Sequence, residues 1–79
     1  MVLVTRVDRR AAVHPEAYLG ADVDIGPFAV IERDAWVSTG SIVGAHAVIK
    51  TGTHVGENCR IHAHAVLGDD PQDLSFRDA

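Results

Sequence analysis

Every sixth residue from Val7 to Leu67 is Val, Ile or Leu. The run is Val7, Val13, Leu19, Ile25, Ile31, Val37, Val43, Ile49, Val55, Ile61 and Leu67. These three residue types make up roughly a quarter of the chain, so the odds of such a run arising by chance are on the order of one in a million. A period of six falls out of step with a helix of 3.6 residues per turn. It suits a short strand followed by a tight turn, repeated along the chain. A second column supports this. Four residues after each aliphatic stands a small or short side chain: Ala11, Ala17, Val23, Ala29, Ala35, Ser41, Ala47, Thr53, Cys59 and Ala65. The residue just after the aliphatic is glycine at Gly20, Gly26, Gly44, Gly56 and Gly68, and Pro15 and Pro27 follow one place later. Glycine tolerates positive φ and proline fixes a bend, so turns are expected there.

Side chains alternate along a strand, so the small residue and the next aliphatic both point inward. Three six-residue units close a triangular coil of 18 residues, and coils stack at the strand spacing of about 4.8 Å. The predicted coils are 7–24, 25–42 and 43–60, with a partial coil and an inserted loop over 61–79. The fold class is therefore all-β, a parallel β-helix of hexapeptide repeats with about three and a half triangular coils. The whole of 1–79 reads as a single domain.

The same arithmetic assigns the outer faces. One carries Ala12, Val30, Val48 and Val66 in a column, beside Arg10, Phe28, His46 and His64. An outward apolar stripe should attract a partner. A second face carries Tyr18, Trp36, His54 and Gln72 with acidic flanks at Glu16, Asp34 and Asp70. The third, with Asp22, Asp24, Gly40, Ile42, Asn58 and Arg60, reads as polar. Glu32 and Lys50 are 18 apart and should meet on adjacent rungs. Cys59 falls below Val23 and Ser41 and reads as a core filler. His46 and His64 should stack, with His62 in the neighbouring turn and His14 before Pro15. No third ligand accompanies the histidines, so no metal or other cofactor is assigned.

Composition narrows the function. The formal net charge is −4, which does not fit a nucleic-acid-binding stripe. No apolar run approaches a membrane span. The start, with Arg6, Asp8, Arg9 and Arg10 after three apolar residues, does not fit a secretory leader. One cysteine suits a reducing compartment, so a cytoplasmic location is expected.

The repeat resembles the left-handed parallel β-helix of the hexapeptide-repeat acyltransferases, and the left hand is implied by that resemblance alone. Two stretches are more specific. Ile25–Gly26–Pro27–Phe28–Ala29–Val30–Ile31–Glu32 resembles an early coil of the UDP-N-acetylglucosamine O-acyltransferases, the first enzymes of lipid A synthesis. Leu67–Gly68–Asp69–Asp70–Pro71–Gln72–Asp73–Leu74–Ser75–Phe76 resembles their Gly-x-Asp-Pro-Gln-Asp-Leu-Lys-Tyr loop. The motif's lysine is Ser75 here and its tyrosine is Phe76.

The resemblance implies transfer of a 3-hydroxyacyl group from acyl carrier protein to the 3-hydroxyl of UDP-N-acetylglucosamine. It implies substrate-binding roles for Asp73 and Gln72, and a homotrimer packed through the face of Val30, Val48 and Val66. It puts the family's general-base histidine in a coil beyond Ala79, so the role does not pass to His46, His62 or His64. The chain is accordingly expected to be an N-terminal fragment that is inactive alone. A different expectation also stands: a non-catalytic β-helix module that assembles with a full-length homologue. Another hexapeptide-repeat acetyltransferase is a third, and the Asp-Pro-Gln-Asp-Leu run speaks against it.

Overall fold

The computed structural model describes residues 4–68. They form eleven two-residue strands: β1 (Arg6–Val7), β2 (Ala12–Val13), β3 (Tyr18–Leu19), β4 (Asp24–Ile25), β5 (Val30–Ile31), β6 (Trp36–Val37), β7 (Ile42–Val43), β8 (Val48–Ile49), β9 (His54–Val55), β10 (Arg60–Ile61) and β11 (Val66–Leu67). Each strand pairs in parallel with the strand three further on, as Val30 with Val48 and Ile31 with Ile49. The result is three sheets, ordered β1-β4-β7-β10, β2-β5-β8-β11 and β3-β6-β9. These are the three walls of a β-solenoid, and the 18-residue register expected from the sequence holds in each.

The wall interior is the aliphatic column with its small neighbour. Ile25, Ile31, Val37, Val43 and Ile49 are buried, as are Ala29, Ala35 and Ala47 between them. The alternation of a branched residue with alanine fits the narrow triangular bore, where two large side chains per strand would overpack. The one buried polar side chain among the described residues is Ser41. Its hydroxyl donates to the Gly56 carbonyl at 2.7 Å and accepts from the Cys59 N–H at 3.0 Å. Thr5 does the same two coils earlier, donating to Gly20 O and accepting from Val23 N–H. In both cases a hydroxyl from the coil above is inserted into the turn below. Elsewhere the turn closes on itself, as Ala47 N–H to Gly44 O at 3.3 Å.

The turns differ from the sequence expectation in one respect. Positive φ falls two residues after the glycine column, at Asp22, Phe28, Asp34, Gly40, His46, Gly52, Asn58 and His64. With the four-residue closing bond, as in Gly26–Pro27–Phe28–Ala29, this is type II turn geometry, with proline at its favoured second place. The reason for that geometry lies between coils. The third residue of the turn donates its N–H to the second residue's carbonyl one coil back: His46 to Pro27, Gly52 to Arg33, Asn58 to Thr39, His64 to Ala45, each at 2.9–3.3 Å. A type I turn would rotate that carbonyl away. In the first coil, side chains take over instead. Arg10 N–H donates to Asp8 Oδ1 and Glu16 N–H to His14 Nδ1.

The glycine column has a different cause from the one the sequence suggested. A Cβ on Gly44 would lie 2.7 Å from Ala63 N and 2.9 Å from Ile61 O, and one on Gly20 would lie 2.7 Å from Thr39 N. Close approach of the next coil, not handedness, requires glycine there. Gly56 is in the same phase, yet a Cβ there would meet only Cys59 Sγ, at 3.8 Å. Gly44→Ala should therefore destabilise the fold by about 1–3 kcal/mol through overpacking. Gly56→Ala should be neutral or stabilise by up to about 1 kcal/mol by restricting the unfolded chain. Urea titration of the two variants checks this, and equal losses would refute it.

Candidate functional site

The outer surface offers two ladders and a groove. The first ladder follows directly from the turn geometry. Phe28, His46 and His64 occupy the same left-handed place in successive coils, so their side chains leave the corner in parallel. Their rings stack with centroids 5.0 Å apart at both steps and planes within 16°. Arg10 continues the column upward, its guanidinium carbon 5.2 Å from the Phe28 ring centre. Asp8 holds Arg10 in place through its carboxylate, at 3.1 Å. The Arg10 hydrogen bonds in turn keep the Asp8 carboxyl below its usual value, chiefly through the side-chain contact. Phe28 is the only bulky hydrophobic residue at a left-handed position among the described residues. Asp, Asn and His visit that region far more readily.

Beside this ladder runs the column of Val30, Val48 and Val66 along β5, β8 and β11. Val66 is 51% exposed, Val30 and Val48 are half-buried, and the neighbouring Phe28 is 49% exposed. On another wall Tyr18, Trp36 and His54 form the second ladder, with centroids 4.4 and 5.4 Å apart. Trp36 thus has a ring against each face, and the ladder presents ring edges outward.

An open groove of about 500 Å³ lies at the corner between these walls, with Ala12 and Val30 as an apolar floor and His14, Glu32, Arg33 and Thr51 around it. Glu32 and Lys50 sit on adjacent rungs, as the 18-residue spacing requires. Glu32 Oε1 also accepts from the Thr51 N–H at 3.0 Å and the Thr51 hydroxyl at 3.2 Å. Arg33 reaches Glu16 at 3.3 Å and Asp34 at 3.8 Å, exposed contacts of little energetic weight. His14 spends Nδ1 on the Glu16 N–H, so in its neutral form the proton sits on Nε2.

His46 and His64 do stack as the 18-residue spacing requires, and His54 joins the other ladder. His62 lies exposed in its turn. Among the described residues none is paired with a carboxylate in an orienting contact, and no three His, Cys, Asp or Glu come together as a metal site. Cys59 packs against the core as expected but is only partly buried, at the lower end of the solenoid. Asp73 and Gln72, the substrate-binding residues implied by the loop motif, lie outside the described residues. No helix among the described residues is long and apolar enough to cross a membrane.

The segment that leads to them shows a change of geometry. The left-handed residues recur every six places up to His64, and the next in step would be residue 70. Gly68, at φ +83°, comes two residues early. The residue after the aliphatic has no positive φ at Gly26, Glu32, Gly44 or Lys50. The repeat geometry thus breaks at the glycine where the sequence motif starts.

Residues 34–69 match the family model described as bacterial transferase hexapeptide (six repeats). These residues carry the transferase hexapeptide repeat. The match spans β6 to β11 and ends beside Gly68. Among curated proteins and solved structures nothing matches the chain. The repeat and the β-solenoid together support the broad hexapeptide-transferase family, whose members are in general acyl- and acetyltransferases.

Proposed function

We propose that this chain supplies early coils of an O-acyltransferase that moves a 3-hydroxyacyl group from acyl carrier protein to the 3-hydroxyl of UDP-N-acetylglucosamine, the first step of lipid A synthesis. The transferase hexapeptide match supports acyl transfer. The choice of donor and acceptor rests on one observation: the break in coil geometry at Gly68 coincides with the start of Gly68–Asp69–Asp70–Pro71–Gln72–Asp73–Leu74. A loop carried on a rigid scaffold is a common place for binding groups. Asp73 is assigned to accept hydrogen bonds from the sugar hydroxyls and Gln72 to assist it. Ser75, standing where the resembled motif has lysine, removes a cation from that loop.

In the reaction the sugar hydroxyl oxygen forms the new ester bond to the thioester carbonyl carbon. The carbon–sulfur bond breaks, and the hydroxyl proton passes by way of a general base to the leaving thiolate. The resemblance puts that base in a coil outside this chain. His46 and His64 give their ring faces to the stack and are assigned no part in the step.

We assign the strip of Val30, Val48 and Val66 to contact between copies in a homotrimer. Its support is the in-register parallel alignment of the three valines on β5, β8 and β11, with Val66 exposed and Val30 and Val48 half-buried.

Two measurements test these assignments. UDP-N-acetylglucosamine should perturb the amide resonances of Gln72 and Asp73, and Asp73→Ala should weaken binding at least about tenfold. The chain alone should transfer no acyl group from 3-hydroxyacyl carrier protein. Absence of sugar-nucleotide binding, or equal binding by Asp73→Ala, would leave only a non-catalytic assembly module. By sedimentation the chain should form trimers that Val48→Asp dissociates, because a carboxylate would be buried without a partner. A wild-type monomer at about 0.1 mM would contradict the trimer.

A further inference from the structure

His46 and His64 are the two histidines that the fold sets side by side. Each takes the left-handed third place of its turn, at φ 62° and 67°. Each is pinned there by its own N–H, His46 to Pro27 O and His64 to Ala45 O, both at 3.0 Å. Their imidazoles leave the corner together, with centroids 5.0 Å apart and planes 10° from parallel. Both residues are exposed. Stacking uses the ring faces, whereas the two nitrogens lie in the ring plane and act along its edge. The other histidines are placed differently. His14 spends Nδ1 on the Glu16 N–H, His54 lies against Trp36, and His62 is exposed in its turn.

We propose that His46 and His64 form a two-histidine site for a divalent ion of the nickel, copper and zinc group, which clamps adjacent coils together. Imidazole nitrogen suits these ions, while calcium and magnesium take oxygen ligands. Two imidazoles side by side on one ion, each at about 2.0–2.1 Å, need their donor nitrogens about 3 Å apart. The stacked rings are 5.0 Å apart, so each must lean inward by about 1 Å. The outer torsion of a histidine side chain is broad, so this lean costs little and leaves the backbone in place. Among the described residues no third His, Cys, Asp or Glu completes a cage. Water fills the remaining positions, which separates this site from a structural zinc centre with its four protein ligands. The ligands stand on successive rungs, a spacing that an unfolded chain does not hold. The ion therefore binds the folded state in preference and stabilises it. The site stands apart from the acyl-transfer reading, which gives these histidines no role.

Nickel tests this by NMR, because the bound paramagnetic ion broadens the resonances near it. Ni2+ added to the full chain should broaden His46 and His64 first and raise the thermal midpoint. His46→Phe and His64→Phe keep a ring in the stack and remove the donor nitrogens, and Phe28 shows that this corner accepts phenylalanine. Each should weaken Ni2+ binding at least about tenfold and abolish the rise in midpoint, while His62→Ala stays within about twofold of wild type. Should a phenylalanine chain not fold, His64→Asn keeps a residue type that tolerates positive φ and should lose the ion equally. Wild-type affinity in either phenylalanine chain would overturn the site. So would broadening no stronger at His46 and His64 than at His14, His54 and His62, or a wild-type chain that binds no Ni2+ at about 1 mM.

Discussion

The backbone hydrogen bond across five corners, from the second coil downward, is the interaction on which the rest of the molecule depends. Two-residue strands contribute little ladder by themselves, and a solenoid made only of such strands would be hinged at every turn. The bonds from Gly40 to Ala21, His46 to Pro27, Gly52 to Arg33, Asn58 to Thr39 and His64 to Ala45 carry the ladder around the bend. Their geometry demands a left-handed third residue in the turn. That demand stacks one residue type of place above another at every 18th position. The ring column of Phe28, His46 and His64 is a consequence of it, and so is the alignment of Val30, Val48 and Val66 beside that column.

Much of this was legible in the sequence. The aliphatic run from Val7 to Leu67 fixed the inward residues, the coil boundaries and the contents of each outer face, because stacking in register leaves no freedom once the period is known. The turn handedness was less legible but not hidden. Asp22, Asp34, Gly40, His46, Gly52, Asn58 and His64 are residue types that tolerate positive φ, and they recur at one phase. Phe28 gave no such signal, since it holds the position by stacking rather than by preference. The glycine column misled, because sequence cannot distinguish a glycine needed for its φ from one needed for its missing Cβ. Gly44 is the second kind. The hydrogen bonds from Thr51 to Glu32 were out of reach, since the 18-residue spacing sets Glu32 beside Lys50 and says nothing of the next residue.

The candidate site divides along the same line. What the repeat dictates, the ladders and the apolar strip, appears where the spacing put it. What interrupts the repeat has no spacing rule behind it, and Gln72 and Asp73 fall in that part. Gly68, the last of the described residues, takes positive φ two places ahead of the repeat's phase.

The most direct test of the account is amide hydrogen exchange at the corners. The N–H groups of Gly40, His46, Gly52, Asn58 and His64 should exchange as slowly as those of the flanking strands, on the order of a hundredfold or more below the rate of an open chain. Exchange at these five amides as fast as in an unstructured turn, while Ile31 and Ile49 stay protected, would contradict the claim that the ladder runs around these five corners.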